Sequence, residues 1–270
     1  MPQIVFKKLP ISLCIVTLNE EDNIQRCIES VTFASDIVIL DSGSTDKTKD
    51  LALRLGARVF EEPWKGFGLQ KQRAVELALH DWVLCLDADE ELSFELATEI
   101  YEAANDDFKS NHFNSYKMPR RSFYLGRWLY FGGWYPDYQT RLFNRTKSNW
   151  SSETLHESVQ GLGTGNDLKI KTKSLKFNLN HYPFENLTDQ IQTNNRYSTL
   201  GAEALLKKGQ TVRLWQLIVK PFIKFIELYF VKLGFCDGIP GYIIAMGGAY
   251  SYFLKYAKAW EQQHSPPKKV

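Results

Sequence analysis

Cysteine is scarce in this sequence, and its spacing excludes the classes of protein that depend on it. The four cysteines among 270 residues are Cys14, Cys27, Cys85 and Cys236, and none of them forms a CxxC pair. A disulfide framework or a cysteine zinc site needs paired or clustered cysteines. The simplest interpretation is an intracellular protein whose cysteines are reduced and mostly buried.

The sequence also lacks the signatures of the common nucleotide-binding classes. It contains no Gly-rich Walker loop and no GxGxxG, so ATPases and dinucleotide-dependent enzymes are not indicated. No small-residue cleavage site follows the apolar run after Lys7-Lys8, and we interpret that run as a buried strand, not a signal peptide.

Charge is unevenly distributed, although the net charge is only +2. Residues 204–270 hold ten Lys and Arg against three Asp and Glu, whereas residues 1–203 hold 23 against 28. The acidic balance of the larger part argues against nucleic acid as a partner. The basic balance of the smaller part favours contact with an anionic membrane surface.

Strand and helix patterns alternate four times in the first ninety residues. Short apolar segments are predicted as strands at Ile11–Leu18, Ile37–Leu40, Arg58–Phe60 and Trp82–Leu86. Helices are predicted between them, at Asn23–Val31, Lys47–Leu55 and Gly66–Leu79. This alternation predicts an α/β fold, with a mostly parallel, Rossmann-like sheet wound with helices.

Polar residues follow three of these strands. They are Thr17, Asn19 and Glu20 after the first strand, Asp41 after the second, and Asp87 and Asp89 after the fourth. Each one alone is more typical of a turn or a helix cap, but parallel strands bring their carboxyl ends to one edge. If the backbone stays extended through Asp87 and Asp89, their carboxylates lie on one side and suit Mg²⁺ or Mn²⁺.

Three segments together resemble a known family. ISLCIVTLNEEDNI, IVILDSGSTDKT and VLCLDADEEL, in that order, are similar to the donor half of family 2 glycosyltransferases with the GT-A fold. The resemblance implies that Thr17, Asn19, Glu20 and Asp41 face the nucleotide. It also implies that Asp87 lies near the donor sugar and that Asp89 contacts a metal on the diphosphate.

Two further residues take a position that many relatives give to an Arg-Asn pair. Here Lys71 and Gln72 stand there, either as donor contacts or on a solvated helix face. Lys71 is a candidate to neutralise the diphosphate.

The middle of the chain narrows the resemblance. Residues 119–160 are dense in Trp, Tyr and Arg, which is typical of a sugar cleft, with an aromatic packing layer as the alternative. GGWYPDYQTRLF, the following LHE, and HYPFENLTDQIQTNNRYSTLGAEAL are similar to lipopolysaccharide inner-core β-1,4-glucosyltransferases. That similarity implies a UDP-sugar donor, with glucose favoured, and an inner-core heptose on a lipid-linked acceptor.

Glycosyl transfer with inversion needs one base and no nucleophile. The candidate bases are Glu157, after the strand predicted at Tyr138–Phe143, and Asp137 before it. A structural alternative for Glu157 is an ion pair with an arginine such as Arg145. His156 and His181 are candidate metal or phosphate neighbours, or structural histidines. A non-catalytic nucleotide-sugar binding module, or an enzyme for another envelope polysaccharide, remains an alternative function.

The amino-acid composition changes in the last part of the chain. We predict a catalytic domain over 1–185, with a donor half at 1–92 and an acceptor half at 93–185, followed by a helical extension over 186–270. Within the extension, 212–233 reads as an apolar helix with a narrow basic stripe, and 238–254 as an uncharged segment interrupted by glycines. We expect these helices to lie on the cytoplasmic face of the bacterial inner membrane, peripherally or monotopically, without crossing it. Packing on the catalytic domain is the alternative.

Overall fold

The structure, a computed structural model, describes residues 6–106, 108, 112–151, 157–162 and 170–264. The chain divides into two compact units. The first takes in the residues up to 120 together with 138–181, and the second takes in 121–137 together with the residues from 182 onward. The domain boundary placed after residue 185 stays a prediction.

The first unit begins with the predicted alternation of strands and helices. Its elements are β1 (Leu9–Thr17), α1 (Ile24–Glu29), β2 (Ala34–Asp41), α2 (Thr48–Arg54), β3 (Arg58–Glu61), α3 (Phe67–Glu76) and β4 (Trp82–Asp87). The four strands pair in the order β3-β2-β1-β4, and all three pairings are parallel. The α/β fold expected from the sequence is confirmed.

The sheet then continues with shorter, mixed strands. The later elements are β5 (Glu90–Leu92), α4 (Phe94–Asp106), β6 (Ser115–Tyr124), β7 (Arg127–Leu129), β8 (Asp137–Asn144), β9 (Ser148–Trp150), β10 (Val159–Gly161), β11 (Thr172–Ser174) and β12 (Leu179–His181). Strand β8 lies antiparallel beside β4, and the order continues through β6 and β12 to β5. Strands β9 and β10 form a separate antiparallel pair.

The core of the first unit lies on both faces of the central strands. Ile15 on β1 and Leu84 on β4 have no exposed surface and pack with α1 and α4 side chains on one face. Val83 packs on the other face with Ala74 of α3. Residues 82–86 of β4 are all apolar and all buried, as predicted for a strand covered on both faces. Three of the cysteines are free thiols inside this unit, and Cys236 is exposed.

The second unit is built mainly from helices. They are α5 (Leu187–Lys207), α6 (Leu214–Ile226) and α7 (Gly238–His264), with a π-helical turn at Glu227–Val231 and a 3₁₀ turn at Gly234–Asp237. The side chain of Asn186 caps α5 by accepting a hydrogen bond from the Asp189 N–H, 3.0 Å away. Among the residues that the structure describes, no helix is long and apolar enough to pass through a membrane.

The segment 238–254, predicted to be helical, lies within α7, which runs unbroken through its glycines. These residues allow close packing. A Cβ at Gly241 would lie 1.9 Å from the carbonyl oxygen of Gly234, and one at Gly248 would lie 2.6 Å from Leu228 Cδ1. Glycine at both positions therefore lets the turns after α6 approach the α7 backbone.

Residues 121–137 join these helices through a buried carboxylate. Asp237 is 2% exposed and accepts hydrogen bonds from the backbone N–H groups of Tyr130 and Phe131, 3.1 and 2.9 Å away. The Arg127 guanidinium donates to the Asp237 carbonyl oxygen over 2.9 Å. These contacts explain why this segment groups with the C-terminal helices.

Candidate active site

The carboxyl ends of β1, β2 and β4 lie side by side. Thr17 pairs in register with Asp41, and Val16 pairs with Asp87. The predicted convergence of polar residues at one edge of the sheet is therefore confirmed for these strands.

Asp41 organises the loop that follows β2. Its carboxylate has no exposed surface and accepts hydrogen bonds from the Gly43 and Ser44 N–H groups and from the Thr17 and Ser44 hydroxyls. Burial alone would raise the pKa of Asp41, but these donors hold that pKa below its ordinary value. The nucleotide contact implied for Asp41 and Thr17 stays a prediction, because both oxygens of Asp41 are held by its own loop.

Asn19 and Glu20 tie the first loop to the second. The Asn19 side chain accepts from the Thr45 N–H at 2.9 Å, and the Glu20 N–H donates to the Thr48 hydroxyl at 2.7 Å. Burial raises the pKa of the Glu20 carboxyl to about 7, against the hydrogen bond from Asn23, and the negative charges of Asp89 and Asp87 add to that rise. Glu20 thus faces the acidic end of β4, and its nucleotide contact stays a prediction.

Asp87 and Asp89 do not continue one extended strand. β4 ends at Asp87, Ala88 and Asp89 form a turn, and β5 begins at Glu90. The condition for parallel carboxylates is not met, so that expectation is wrong. The two carboxylates have different partners instead.

Asp87 is held in a network of buried charges. Lys71 Nζ lies 2.8 Å from Asp87 Oδ1, and the Arg141 guanidinium contacts Asp87 Oδ2. Arg141 also donates to Glu90 over 2.6 Å, and Glu90 has no exposed surface. Burial would raise the pKa of Asp87, but Arg141 and Lys71 hold it far below its ordinary range. The network fixes Asp87 as a carboxylate in one orientation.

Lys71 joins Asp87 to a candidate base. Its side chain is 6% exposed, and Nζ lies 2.9 Å from Glu157 Oε1 as well as 2.8 Å from Asp87 Oδ1. The alternative of a solvated helix face is therefore wrong for Lys71, and Glu157 pairs with Lys71 and not with Arg145. Gln72 holds the end of β9, since its side-chain Oε1 accepts a hydrogen bond from the Trp150 N–H at 3.0 Å.

The other predicted residues are placed as follows. Asp137 is the first residue of β8 and belongs to the second compact unit, whereas Glu157 belongs to the first. His156 lies outside the described residues. His181 ends β12, and its Nε2 lies 3.4 Å from Asp89 Oδ2.

Arg141, Glu90 and Arg120 were not predicted from the sequence. Arg120 donates to Glu90 over 2.9 Å, so Glu90 is satisfied by two arginines. A signal did exist, because five residues from Asp87 to Glu91 include four acids, and burying acids requires cations nearby. Which cations supply that charge depends on β8 lying beside β4.

A divalent cation fits the Asp89 end of this edge. Within the described ranges, no group of three or more His, Cys, Asp and Glu side chains is arranged to hold a metal. Asp89 Oδ1, however, is buried without a hydrogen-bond partner among those residues, and the His181 imidazole is beside the other oxygen. Carboxylate and imidazole are both ligands of Mn²⁺, and a diphosphate would complete the shell that two protein groups leave open.

A comparison with known families decides the assignment. The profile described as glycosyl transferase family 2 matches residues 12–161. The chain belongs to glycosyl transferase family 2. The matched range runs from β1 to β10 and includes Asp41, Asp87, Asp89 and Glu157. As a family 2 member, the protein is a glycosyltransferase that uses a nucleotide-sugar donor.

Relatives of similar length extend the match beyond this range. The lipopolysaccharide core biosynthesis glycosyltransferase LpsC of Rhizobium meliloti (strain 1021) is 35% identical over 268 residues, covering 94% of this chain and 93% of the relative. An uncharacterized glycosyltransferase of Rickettsia felis is 32% identical over 259 residues, covering 93% and 89%. The likeness therefore includes the C-terminal helices.

A solved structure gives a partial likeness. Glucosyl-3-phosphoglycerate synthase from Mycobacterium tuberculosis, in complex with Mn²⁺, UDP and glucosyl-3-phosphoglycerate, has a TM-score of 0.35 and 27% identity. The match covers 41% of this chain and 44% of that chain, which is too partial to transfer details of its site.

Proposed function

We propose that this family 2 glycosyltransferase moves a hexose, with glucose favoured, from a UDP-sugar to a lipid-linked saccharide, with inversion at the anomeric carbon. The favoured acceptor is the inner-core heptose of lipopolysaccharide. The name of the Rhizobium meliloti relative, a lipopolysaccharide core enzyme, supports this choice. Such an acceptor stays in the bilayer, so we place the enzyme at the cytoplasmic face of the bacterial inner membrane.

The main support for this reaction is that one cation, Lys71, lies between two carboxylates. Asp87 Oδ1 and Glu157 Oε1 lie 2.8 and 2.9 Å from the same Lys71 nitrogen, so they are separated by at most the sum of those distances. A carboxylate expected near the donor sugar and a carboxylate expected to act as base are thus neighbours. That arrangement favours an enzyme over a non-catalytic sugar-binding module.

The roles of the chain's own residues follow from this arrangement. Glu157 accepts the proton of the attacking acceptor hydroxyl, and Asp137 is the second candidate for this role. Lys71 and Arg141 keep Asp87 oriented toward the donor. Because one base and no protein nucleophile take part, the product has the inverted configuration. Asp89 and His181 would hold Mg²⁺ or Mn²⁺, and the metal would supply positive charge to stabilise the diphosphate leaving group.

The experiment is UDP release by the purified protein, measured with a panel of UDP-sugars and a solubilised core acceptor. We expect one UDP-hexose to be consumed, and the anomeric proton coupling of the product to show inversion. Absence of UDP release from every UDP-sugar tested, with and without the acceptor, would instead support the binding module.

Asp89→Ala tests the metal. We expect at least about a thousandfold loss of turnover with an unchanged thermal melt, because several kcal/mol of transition-state stabilisation are removed. Asp22→Ala removes an exposed acid from the loop after β1 and is the matched control. Full activity of Asp89→Ala, or of the unmodified enzyme in excess chelator, would contradict metal dependence.

A further inference from the structure

Helix α6 presents its apolar side to solvent. Its exposed residues are Leu214, Trp215, Ile218, Val219, Phe222 and Ile223, and every one of them is apolar. They recur at spacings of three and four, so they form one continuous stripe, called here the α6 face. A helix that packs on a soluble domain normally buries this side.

The charged residues of α6 lie on the opposite, partly buried side. Lys224 Nζ is 3.0 Å from Glu227 Oε2 and 5.2 Å from the centre of the Tyr252 ring on α7. Lys224 is therefore engaged inside the unit, whereas the side chain of Lys220 reaches back toward the apolar stripe, with Nζ 5.9 Å from the centre of the Trp215 ring. Among the described residues of α6, the apolar stripe is the side that is exposed to solvent.

The exposed apolar surface continues beyond α6. The Phe225 and Phe230 rings are 6.2 Å apart, and Tyr229 lies 5.6 Å from Tyr242 at the start of α7. Ile239, at the same end of α7, is 76% exposed. A contiguous apolar surface of this kind marks an interaction site.

Charge identifies the occupant of this surface. Lys207, Lys208 and Arg213, immediately before the α6 face, are exposed. Two acids near this surface are used internally, since Glu227 pairs with Lys224 and Lys232 and Asp237 accepts backbone hydrogen bonds. Basic residues outnumber acidic ones over 204–270, ten to three. An apolar stripe with basic residues at its edge matches an anionic lipid surface.

We propose that the α6 face inserts between the acyl chains of an anionic leaflet, with α6 parallel to the membrane plane and Trp215 at its N-terminal end. The inference deepens the proposed function, on which it rests for the choice of a bilayer as the place of the acceptor. Insertion itself requires no sugar chemistry.

Flotation with vesicles of phosphatidylglycerol and phosphatidylethanolamine tests this. The double variant Ile218→Ser, Phe222→Ser removes two side chains that are each 66% exposed. We expect its vesicle affinity to fall about thirtyfold or more, because two inserted side chains are lost. The control Leu53→Ser, Leu79→Ser removes leucines that are 56% and 65% exposed in the first unit, and should bind like the unmodified protein.

Fluorescence supplies a second readout that does not depend on affinity. Brominated lipids quench tryptophans that reach the acyl region, and we expect Trp215→Phe to lose most of that quenching while it still floats. Thermal melts of all variants should coincide, since substitutions of exposed residues seldom change stability appreciably.

Three results would overturn the inference. They are unchanged flotation of the double variant, failure of the unmodified protein to bind vesicles, and a dimer that the double variant abolishes, which would make the α6 face a contact between copies. UDP release with a solubilised acceptor is measured without vesicles. If the unmodified protein floats with vesicles but releases no UDP, the proposed function is contradicted and the insertion of the α6 face is still supported.

Discussion

Replacing Lys71 with Met removes the cation that holds two carboxylates together. Lys71 Nζ is within 2.9 Å of both Asp87 and Glu157, and its side chain is 6% exposed. Methionine keeps the length and most of the volume of lysine, so the packing of α3 should survive. The substitution therefore isolates the charge.

The expected cost follows from the geometry. The two carboxylate oxygens are at most about 5.7 Å apart, the sum of 2.8 and 2.9 Å. At an effective dielectric constant of about 20, two negative charges at that distance repel by about 3 kcal/mol. Breaking a buried ion pair on one side costs about 3–5 kcal/mol in measured cases. We expect Lys71→Met to lose stability in that range at pH 8.

The loss of stability caused by Lys71→Met should depend on pH. A proton shared between the two carboxylates removes the repulsion, so the loss of stability should shrink as the pH falls from 8 to 5. Urea unfolding at both pH values measures this, with donor turnover followed in parallel. Lys49→Met is the matched control, because the 2.8 Å pair of Lys49 with Glu61 lies at the surface and should contribute little.

The outcome that refutes the reasoning is a loss of stability that is equal at pH 5 and pH 8. Such a result would mean that packing of the lysine stem, and not its charge, matters at this position. A fully stable and active Lys71→Met protein would contradict the network altogether.

Three further predictions concern the same edge of the sheet. Glu20→Gln should raise the free energy of unfolding by about 1–2 kcal/mol at pH 8 and less at pH 5. The Glu20 carboxyl ionises near pH 4.5 in the unfolded chain but keeps its proton to about pH 7 in the folded protein, so Glu20 lowers stability as the pH rises through that window. Equal effects of the substitution at pH 5 and pH 8 would refute this prediction. Asp41→Ala should lower the free energy of unfolding, measured in urea, by about 2–4 kcal/mol, because buried hydrogen-bond donors of its loop are left unpaired. The same substitution should raise the KM for the donor. An unchanged KM would mean that the role of Asp41 is purely structural. Glu157→Gln should lower kcat far more than Asp137→Asn, and the reverse ranking in a steady-state assay would make Asp137 the base.

The fold and the position of the site were predictable because both depend on short-range patterns. Apolar runs that end in polar residues identify β1, β2 and β4, and the rule for parallel strands brings Thr17, Asp41 and Asp87 to one edge. These inferences need only the chain order and a right-handed crossover.

The charge network was not predictable because its members come from distant parts of the chain, on a helix, on strands and in a loop. Arg141 reaches Asp87 across 54 positions of sequence, and Lys71 reaches Glu157 across 86. The acids at 87–91 indicate only that cations are needed. Their identity follows from β8 lying antiparallel to β4, with Leu84 opposite Leu142, and no local pattern specifies that pairing.

The orientation of the C-terminal helices was also beyond prediction from local sequence patterns. Helical periodicity in 212–233 correctly separates an apolar stripe from a basic one, but it does not say which stripe faces solvent. That choice is made by α7, whose glycines admit the turns after α6 at short range and whose Tyr252 lies beneath Lys224. Because Lys224 packs against Tyr252 there, the apolar stripe is turned outward. An amphipathic pattern therefore predicts a membrane-facing helix only when the surface that receives its polar side is also known.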